Sequence, residues 1–242
     1  LTVMLITGGA GGIGAAIARR MARKGSKVII ADKERSRGEE VAAEIGARFV
    51  PADVCRPEDN EAAVAEAISA YGTLDVAVLN AGIPGQCGWH NFTPAAYRAT
   101  IATNLDGIVY GIHACLPHLR GGGSIIVTSS LAGLKEAPDP FYAASKHALI
   151  GLVRSTATLL AGDGVKVNAL CPGLVDTPLL APFRELLTEA GHTFASPDEA
   201  ADAVEAILAD GRTGQAWVVL NGRPAYPARF PDVTTGAPDG CH

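Results

Sequence analysis

Tyr142 and Lys146 stand four residues apart at the start of a helix-patterned stretch, so their side chains share one face. A phenol titrates near ~10 and is a poor base at neutral pH. A neighbouring ammonium favours the phenolate, and bringing the phenol down by about three units takes roughly 4 kcal/mol of differential stabilisation. A desolvated lysine joined by a second positive charge from a ligand could supply that, and the tyrosine could then exchange a proton with a reacting oxygen. Ser129-Ser130 follows the apolar run Ser124–Thr128. A hydroxyl at the carboxyl end of a parallel strand, where open α/β sheets place ligands, can hydrogen-bond that oxygen. Asn104 falls within the helical pattern Pro94–Leu119, where asparagine is mildly unfavourable, so it too invites explanation. Each also has an ordinary reading: a helix surface for the pair, a strand-ending turn for the serines, an exposed polar side chain for the asparagine.

A second constellation suits a phosphorylated ligand. Thr7-Gly8-Gly9-Ala10-Gly11-Gly12-Ile13-Gly14 joins a strand-like run to a helix-like one. Glycines let backbone approach a pyrophosphate, and the helix start offers free N–H groups and a positive dipole end. Gly9, Gly11 and Gly14 fit the general dinucleotide fingerprint, while Gly8, Gly12 and Gly14 fit a variant with three residues between the first two glycines. Asp32 ends the next strand, Val28-Ile29-Ile30-Ala31. Its carboxylate can accept both ribose hydroxyls of NAD and would repel the 2′-phosphate of NADP, although Lys33 and Arg35 soften that repulsion. With no basic residue inside the glycine loop, NAD is favoured over NADP; the ordinary reading of Asp32 is a helix N-cap. Asp53-Val54 after the third strand could meet the adenine, with turn chemistry before Pro57 as the alternative. Asn80-Ala81-Gly82 ends the fourth strand with small residues that let a cofactor lie close.

These residues need a scaffold, and short apolar runs alternating with helical patterns provide one. Val3–Thr7, Lys27–Ala31, Arg48–Pro51, Val76–Leu79, Ser124–Thr128, Val165–Leu170 and Ala216–Leu220 read as strands, with helices between them. The pattern implies an α/β, Rossmann-like doubly wound parallel sheet of about seven strands with helices on both faces. Residues 1–222 are expected to form one catalytic domain, with a lid at about 178–195 that otherwise reads as an amphipathic helix. Residues 223–242 are a proline- and glycine-rich tail, either loosely ordered or an arm on a neighbouring subunit.

Composition narrows the partners. A net charge of −5 in 242 residues, with 19% charged, gives nothing to neutralise a phosphate backbone or hold a membrane surface. No nucleic acid and no membrane are expected, and Leu1–Thr7 reads as a strand rather than a leader. Five cysteines at wide spacings fit neither a disulfide framework nor a zinc knuckle. Cys87 and His90 lack a second pair, so no metal is expected. A cytoplasmic protein with reduced thiols follows.

Taken in order, these motifs resemble those of the classical short-chain dehydrogenase/reductase family, from Val3 to about Leu220. Thr7-Gly8-x-x-x-Gly12-x-Gly14 matches its glycine motif, and Asn80-Ala81-Gly82 its Asn-Ala-Gly motif. Asn104, Ser130, Tyr142 and Lys146 fall where the family keeps its catalytic tetrad, and Pro172-Gly173, Val175 and Thr177 where it borders the nicotinamide. The resemblance implies Tyr142 as general acid or base and Ser130 as holder of the substrate oxygen. Lys146 would bind the nicotinamide ribose, and Asn104 would hold a water linked to that lysine. It assigns the catalytic serine to the second of the Ser-Ser pair. It further implies NAD as cofactor, a small-molecule secondary alcohol or ketone as substrate, and a homo-oligomer, dimer or tetramer. Two departures stand out: Leu131–Phe141 is about one residue short, and Leu220-Asn221-Gly222-Arg223 replaces the usual Asp-Gly-Gly. A non-catalytic NAD(P)-binding regulator on the same fold is the alternative. Pocket-wall candidates Ile83-Pro84-Gly85-Gln86, Trp89, Leu131, Ala137-Pro138, Phe141, Leu174, Leu179, Leu180, Phe183, Leu186 and Leu187 are mostly apolar.

Overall fold

Successive residues of a strand face opposite sides of a sheet, and here both sides are apolar. Val3 and Leu5 enter one core while Met4 and Ile6 enter the other; Ile29 and Ala31 separate from Val28 and Ile30 in the same way. A strand buried on both faces must be covered by two helix layers. The computed structural model describes residues 1–119 and 121–231 and shows that arrangement. The remainder of the expected tail, 232–242, with Cys241, lies outside the described residues.

The strands are β1 (Val3–Thr7), β2 (Lys27–Asp32), β3 (Arg48–Pro51), β4 (Val76–Leu79), β5 (Ser124–Thr128), β6 (Lys166–Pro172), β7 (Ala216–Val219) and β8 (Tyr226–Pro227). They form one sheet in the order β3-β2-β1-β4-β5-β6-β7-β8. All neighbours are parallel except the β7–β8 pair. The seven expected strands are present. The eighth lies past residue 222, in the segment expected to be tail, where Trp217 pairs with Pro227 and Val218 with Tyr226. Two residues, one of them a proline, carry no alternation that sequence could show, and the pairing comes from the edge that β7 offers.

On one face lie α1 (Gly12–Arg23), α2 (Arg35–Ile45) and α8 (Pro197–Asp210). On the other lie α3 (Pro57–Tyr71), α5 (Gly107–Leu119) and α6 (Pro140–Leu159). The expected single helix from Pro94 to Leu119 is α4 (Pro94–Ile101), one wider π turn over Ala102–Asp106, then α5. α7 (Arg184–Glu189) is short and follows a 3-10 turn at Ala181–Phe183 within the segment expected to be a lid. Between β1 and β4 the chain reverses its direction of travel across the sheet. Open α/β sheets bind ligands outside the carboxyl ends of the strands at such a switch point. Among the described residues, no helix is long and apolar enough to cross a membrane, and no cluster of three or more metal-ligating side chains occurs.

Candidate active site

The carboxyl ends of β1, β4 and β5 are joined by side chains. Thr7 Oγ1 accepts the Asn80 N–H at 2.9 Å and the Ala81 N–H at 3.2 Å. The Asn80 amide donates to the carbonyls of Thr7 and Gly8, each at 3.2 Å, and its oxygen accepts the Thr128 hydroxyl at 3.1 Å. The glycine loop is therefore held against Asn80-Ala81-Gly82. Gly8 has φ +65, and a Cβ there would lie 2.8 Å from Ala81 Cα. Gly12, φ +52, begins α1, whose N-cap Gly11 supplies no side-chain acceptor. Gly14 is buried and Ile13 packs against the core on the α1, α2 and α8 face. Thr177 closes the ring from the far side: a Cβ on Gly12 would meet its methyl at 3.2 Å.

Asp32 holds the loop from below. Its Oδ2 accepts the Ala10 N–H at 2.9 Å and its Oδ1 the Glu34 N–H at 3.0 Å. Each carboxylate oxygen keeps further acceptor capacity. Asp53 makes a turn, accepting the Cys55 N–H at 3.0 Å, while Val54 packs near Gly107. After β6, Gly173 donates its N–H to Val219 O, and buried Val175 bridges to Ala195. Cys87 is buried and His90 exposed.

α6 carries Tyr142 and Lys146. Its start is marked by Asp139, whose Oδ1 accepts the N–H groups of Phe141 at 3.0 Å and Tyr142 at 2.8 Å, with Pro140 at the first helical position. Lys146 is 3% exposed. Its Nζ donates to Thr128 O at 3.0 Å and lies 5.6 Å from the centre of the Tyr142 ring. Burial pushes the Lys146 ammonium down to about 8, while Cys171 beside it is pushed up to about 12 by its own burial. The thiol thus stays neutral, and the ammonium gains no anionic partner from it.

Half-buried Tyr142 shows what lysine alone does not achieve. Burial raises the phenol pKa, the Ser130 hydroxyl pulls it back, and the Asp139 carboxylate adds to the rise. The two serines have different partners. Ser129 donates to Lys146 O at 2.9 Å, whereas Ser130 accepts the Ala132 N–H at 3.1 Å and donates to Pro172 O at 3.5 Å. Asn104, fully buried in the π turn, accepts the Ile83 N–H at 2.8 Å and donates to Ile83 O at 3.0 Å. Both ends of its amide are engaged in fixing the exit from β4.

Sequence reasoning placed Thr7 in the glycine motif without a role for its hydroxyl, and it overlooked Thr128 and Asp139. Asp139 was detectable from Pro-Asp-Pro before a helical run; Thr128 acts through its hydroxyl on Asn80 and through its main-chain carbonyl on Lys146, and no residue type reveals the second. Arg37, on α2, lies over the glycine loop at Gly11. Beyond Phe141, the rings of Trp89, Phe92 and Tyr97 form a wall, with centres 4.9 to 6.4 Å apart in each touching pair. Trp89 is 73% exposed. The segment 178–195 is tied to the β6 exit by the Arg184–Asp176 ion pair and leaves Leu186 exposed.

The buried lysine makes stability depend on pH. Lys146 titrates at about 8 when folded against an ordinary 10.5, so between those values the unfolded chain binds more protons and stability rises with pH. The stability difference between wild type and Lys146→Met should therefore grow in favour of wild type, by at most about 3 kcal/mol, across that window. Denaturant unfolding of both proteins at stepped pH measures it; a flat difference contradicts the buried charge.

Comparison with known proteins agrees with this architecture. A family model described as short chain dehydrogenase matches residues 2–187. The chain is 34% identical to a cyclohexanol dehydrogenase of Acinetobacter sp. (strain SE19) over 232 residues, covering 90% of this chain and 92% of the relative. It is 37% identical to a 3-alpha-(or 20-beta)-hydroxysteroid dehydrogenase of Mycobacterium bovis, covering 92% and 89%. The crystal structure of a 3-ketoacyl-(acyl-carrier-protein) reductase from Brucella melitensis complexed with NADH superposes with a TM-score of 0.84 at 30% identity, covering 92% of this chain and 98% of that one. The chain belongs to the short-chain dehydrogenase family of oxidoreductases.

Proposed function

We propose that this protein is an NAD-dependent oxidoreductase that moves hydride between the dinucleotide and a secondary alcohol or ketone, with Tyr142 as the acid–base group. The convergence of Tyr142, Ser130 and Lys146 beside the switch point carries this reading. The residues present fit a dinucleotide. A side chain on Gly8 would fill the approach, and the α1 N-terminus offers N–H groups that no side chain caps.

Gly8, Gly12, Ile13 and Gly14 would hold its phosphates, Asp32 its adenosine ribose, and Asp53 and Val54 its adenine. Asn80, Ala81 and Gly82 would run alongside it. Tyr142 and Lys146 would meet the second ribose, and Pro172, Gly173, Val175 and Thr177 the nicotinamide. When bound, the nicotinamide accepts or gives hydride and is positively charged in its oxidised form.

Ser130 holds the substrate oxygen, and Tyr142 takes its proton in oxidation or returns it in reduction. Thr128 O takes one of the three donors of Lys146, which leaves the ammonium able to reach a ribose while favouring the phenolate. Asn104 fixes Ile83, and Asn104 Oδ1 and Lys146 Nζ both approach Gly82, where the family resemblance implies a bound water. The catalytic domain, expected to span residues 1–222, takes in β8 as well, with 178–195 as its lid. The free thiols of Cys55, Cys87, Cys115 and Cys171 suit a cytoplasmic protein. A homo-oligomer, dimer or tetramer, is the assembly that the family resemblance implies.

The Trp89, Phe92 and Phe141 wall supports an apolar, ring-shaped alcohol, as do the names of the two dehydrogenase relatives. Oxidation is the favoured direction, since cells hold NAD mostly oxidised. Assayed with NAD, the enzyme should oxidise cyclic secondary alcohols in preference to hydroxy acids and polyols. Tyr142→Phe should abolish that turnover while NADH binding stays nearly intact, and Lys146→Ala should damage both. Substantial activity in Tyr142→Phe would remove the tyrosine from its role, and a preference for the polar set would overturn the substrate class.

Cofactor choice follows from Asp32. Wild type should bind NAD more tightly than NADP, and Asp32→Ala should narrow the gap by relieving charge repulsion. Equilibrium titration of both cofactors against both proteins measures this, and equal wild-type affinities would contradict it.

A further inference from the structure

Asp139 starts the helix that carries Tyr142, and its carboxylate is held from two sides. Oδ1 accepts the N–H groups of Phe141 at 3.0 Å and Tyr142 at 2.8 Å. Oδ2 lies against Gly85, in the segment that leaves β4, where a Cβ on that glycine would collide with it. A side chain at Gly85 and this seat for the carboxylate exclude one another. Asn104 pins the same segment two residues earlier, at Ile83. The carboxylate is thus fixed between the exit of β4 and the first turn of α6. It cannot swing away from Tyr142 without giving up both N–H groups.

A neutral group could cap this helix equally well. The hydroxyls of Thr93 and Ser196 accept N–H groups in the first turns of α4 and α8, and asparagine caps about as well as aspartate. The choice matters because of what stands beside the cap. The first turn of a helix is its positive end and favours an anion, so a phenolate on Tyr142 would draw on it. Asp139 takes two N–H groups of that turn for itself and sets a negative charge next to the tyrosine. A neighbouring like charge disfavours ionisation.

Other groups surround α6. It packs against α4, the π turn, β6 and the 3-10 turns at Leu131–Gly133 and Ala161–Asp163. Those elements carry Tyr97, Arg98, Asp106, Asp163, Lys166 and Cys171. The helix itself adds Lys146, His147 and Arg154. Lys135 and Glu136, shortly before it, pair with each other at 3.8 Å, and Glu136 is almost wholly exposed. Against this background burial raises the phenol, the Ser130 hydroxyl lowers it, and among the described charged groups it is Asp139 that acts on it, upward.

We infer that Asp139 is a positioning residue for the acid–base step: its carboxylate sets the first turn of α6 and keeps a negative charge beside Tyr142, so that the tyrosine stays a phenol until a positively charged nicotinamide is bound. The inference rests on the reading of Tyr142 as the acid–base group and goes beyond it. The base is then formed only where an acceptor for hydride is already in place. Gly85 belongs to the same device, since its missing side chain is what seats the carboxylate.

The test separates charge from cap. The Tyr142 phenol is titrated by NMR of ring-labelled tyrosine in wild type, Asp139→Asn, Asp139→Ala and Glu136→Gln, free and with saturating NAD, and melting temperatures are measured alongside. Asp139→Asn keeps the cap and removes the charge. It should shift the phenol titration of the free protein to lower pH at a nearly unchanged melting temperature. Asp139→Ala should shift it the same way and also melt lower, because the cap is gone. Glu136→Gln should titrate as wild type does, and NAD should lower the wild-type titration. An unmoved phenol in Asp139→Asn would reduce Asp139 to a cap and overturn the inference. So would an equal shift in Glu136→Gln, or a wild-type phenol that NAD leaves in place. Failure of the acid–base reading itself would look different: Tyr142→Phe would keep turning over while these titrations still separated the variants.

Discussion

Everything in this site is organised around a buried ammonium without a carboxylate to neutralise it. Lys146 is nearly inaccessible, its burial lowers it only to about 8, and the thiol beside it stays protonated. An isolated buried charge is costly, and the fold tolerates this one by giving it the Thr128 carbonyl and the face of the Tyr142 ring. A charge kept near neutrality in this way is available to whatever develops negative charge nearby. On the proposed account that is the Tyr142 phenolate. Yet burial raises the phenol in the protein alone, so a dinucleotide carrying a second positive charge is needed to complete the tuning.

The lysine is also the end of a chain of hydrogen bonds that begins at the glycine loop. Gly8 O accepts the Asn80 amide, the Asn80 oxygen accepts the Thr128 hydroxyl, and Thr128 O accepts Lys146 Nζ. Three strand ends and one helix are thereby locked in mutual position. Such preorganisation is what a hydride-transfer site requires of its protein, because the chemistry belongs to the cofactor. The switch point supplies the opening, and the polar chain across β1, β4 and β5 sets its dimensions. Asn104 extends the same arrangement sideways by pinning Ile83.

Much of this was legible from residue order because the signals were local. Strands buried on both faces read as unbroken apolar runs, and Tyr142 and Lys146 share a helix face by spacing alone. What escaped depends on partners distant in sequence or on main-chain atoms. β8 exists because β7 has a free edge, not because Tyr226-Pro227 is strand-like. The π turn at Asn104 is invisible to a helical repeat, yet it lies where the asparagine meets Ile83. Asp32 was read as a ribose ligand or a cap, and in the structure it holds Ala10 and Glu34 through both oxygens. Arg37 sits within an ordinary charged run, and only the packing of α2 against α1 brings it over Gly11.

The central claim is that protein and dinucleotide together make Tyr142 a base. The direct measurement is the titration of its phenol by NMR of ring-labelled tyrosine, with Tyr142→Phe identifying the signal, in the free protein and with saturating NAD. The account predicts a phenol that titrates above the ordinary tyrosine range in the free protein and falls markedly when NAD binds. A phenol already ionised near neutral pH without NAD, or one that NAD leaves unmoved, would contradict it.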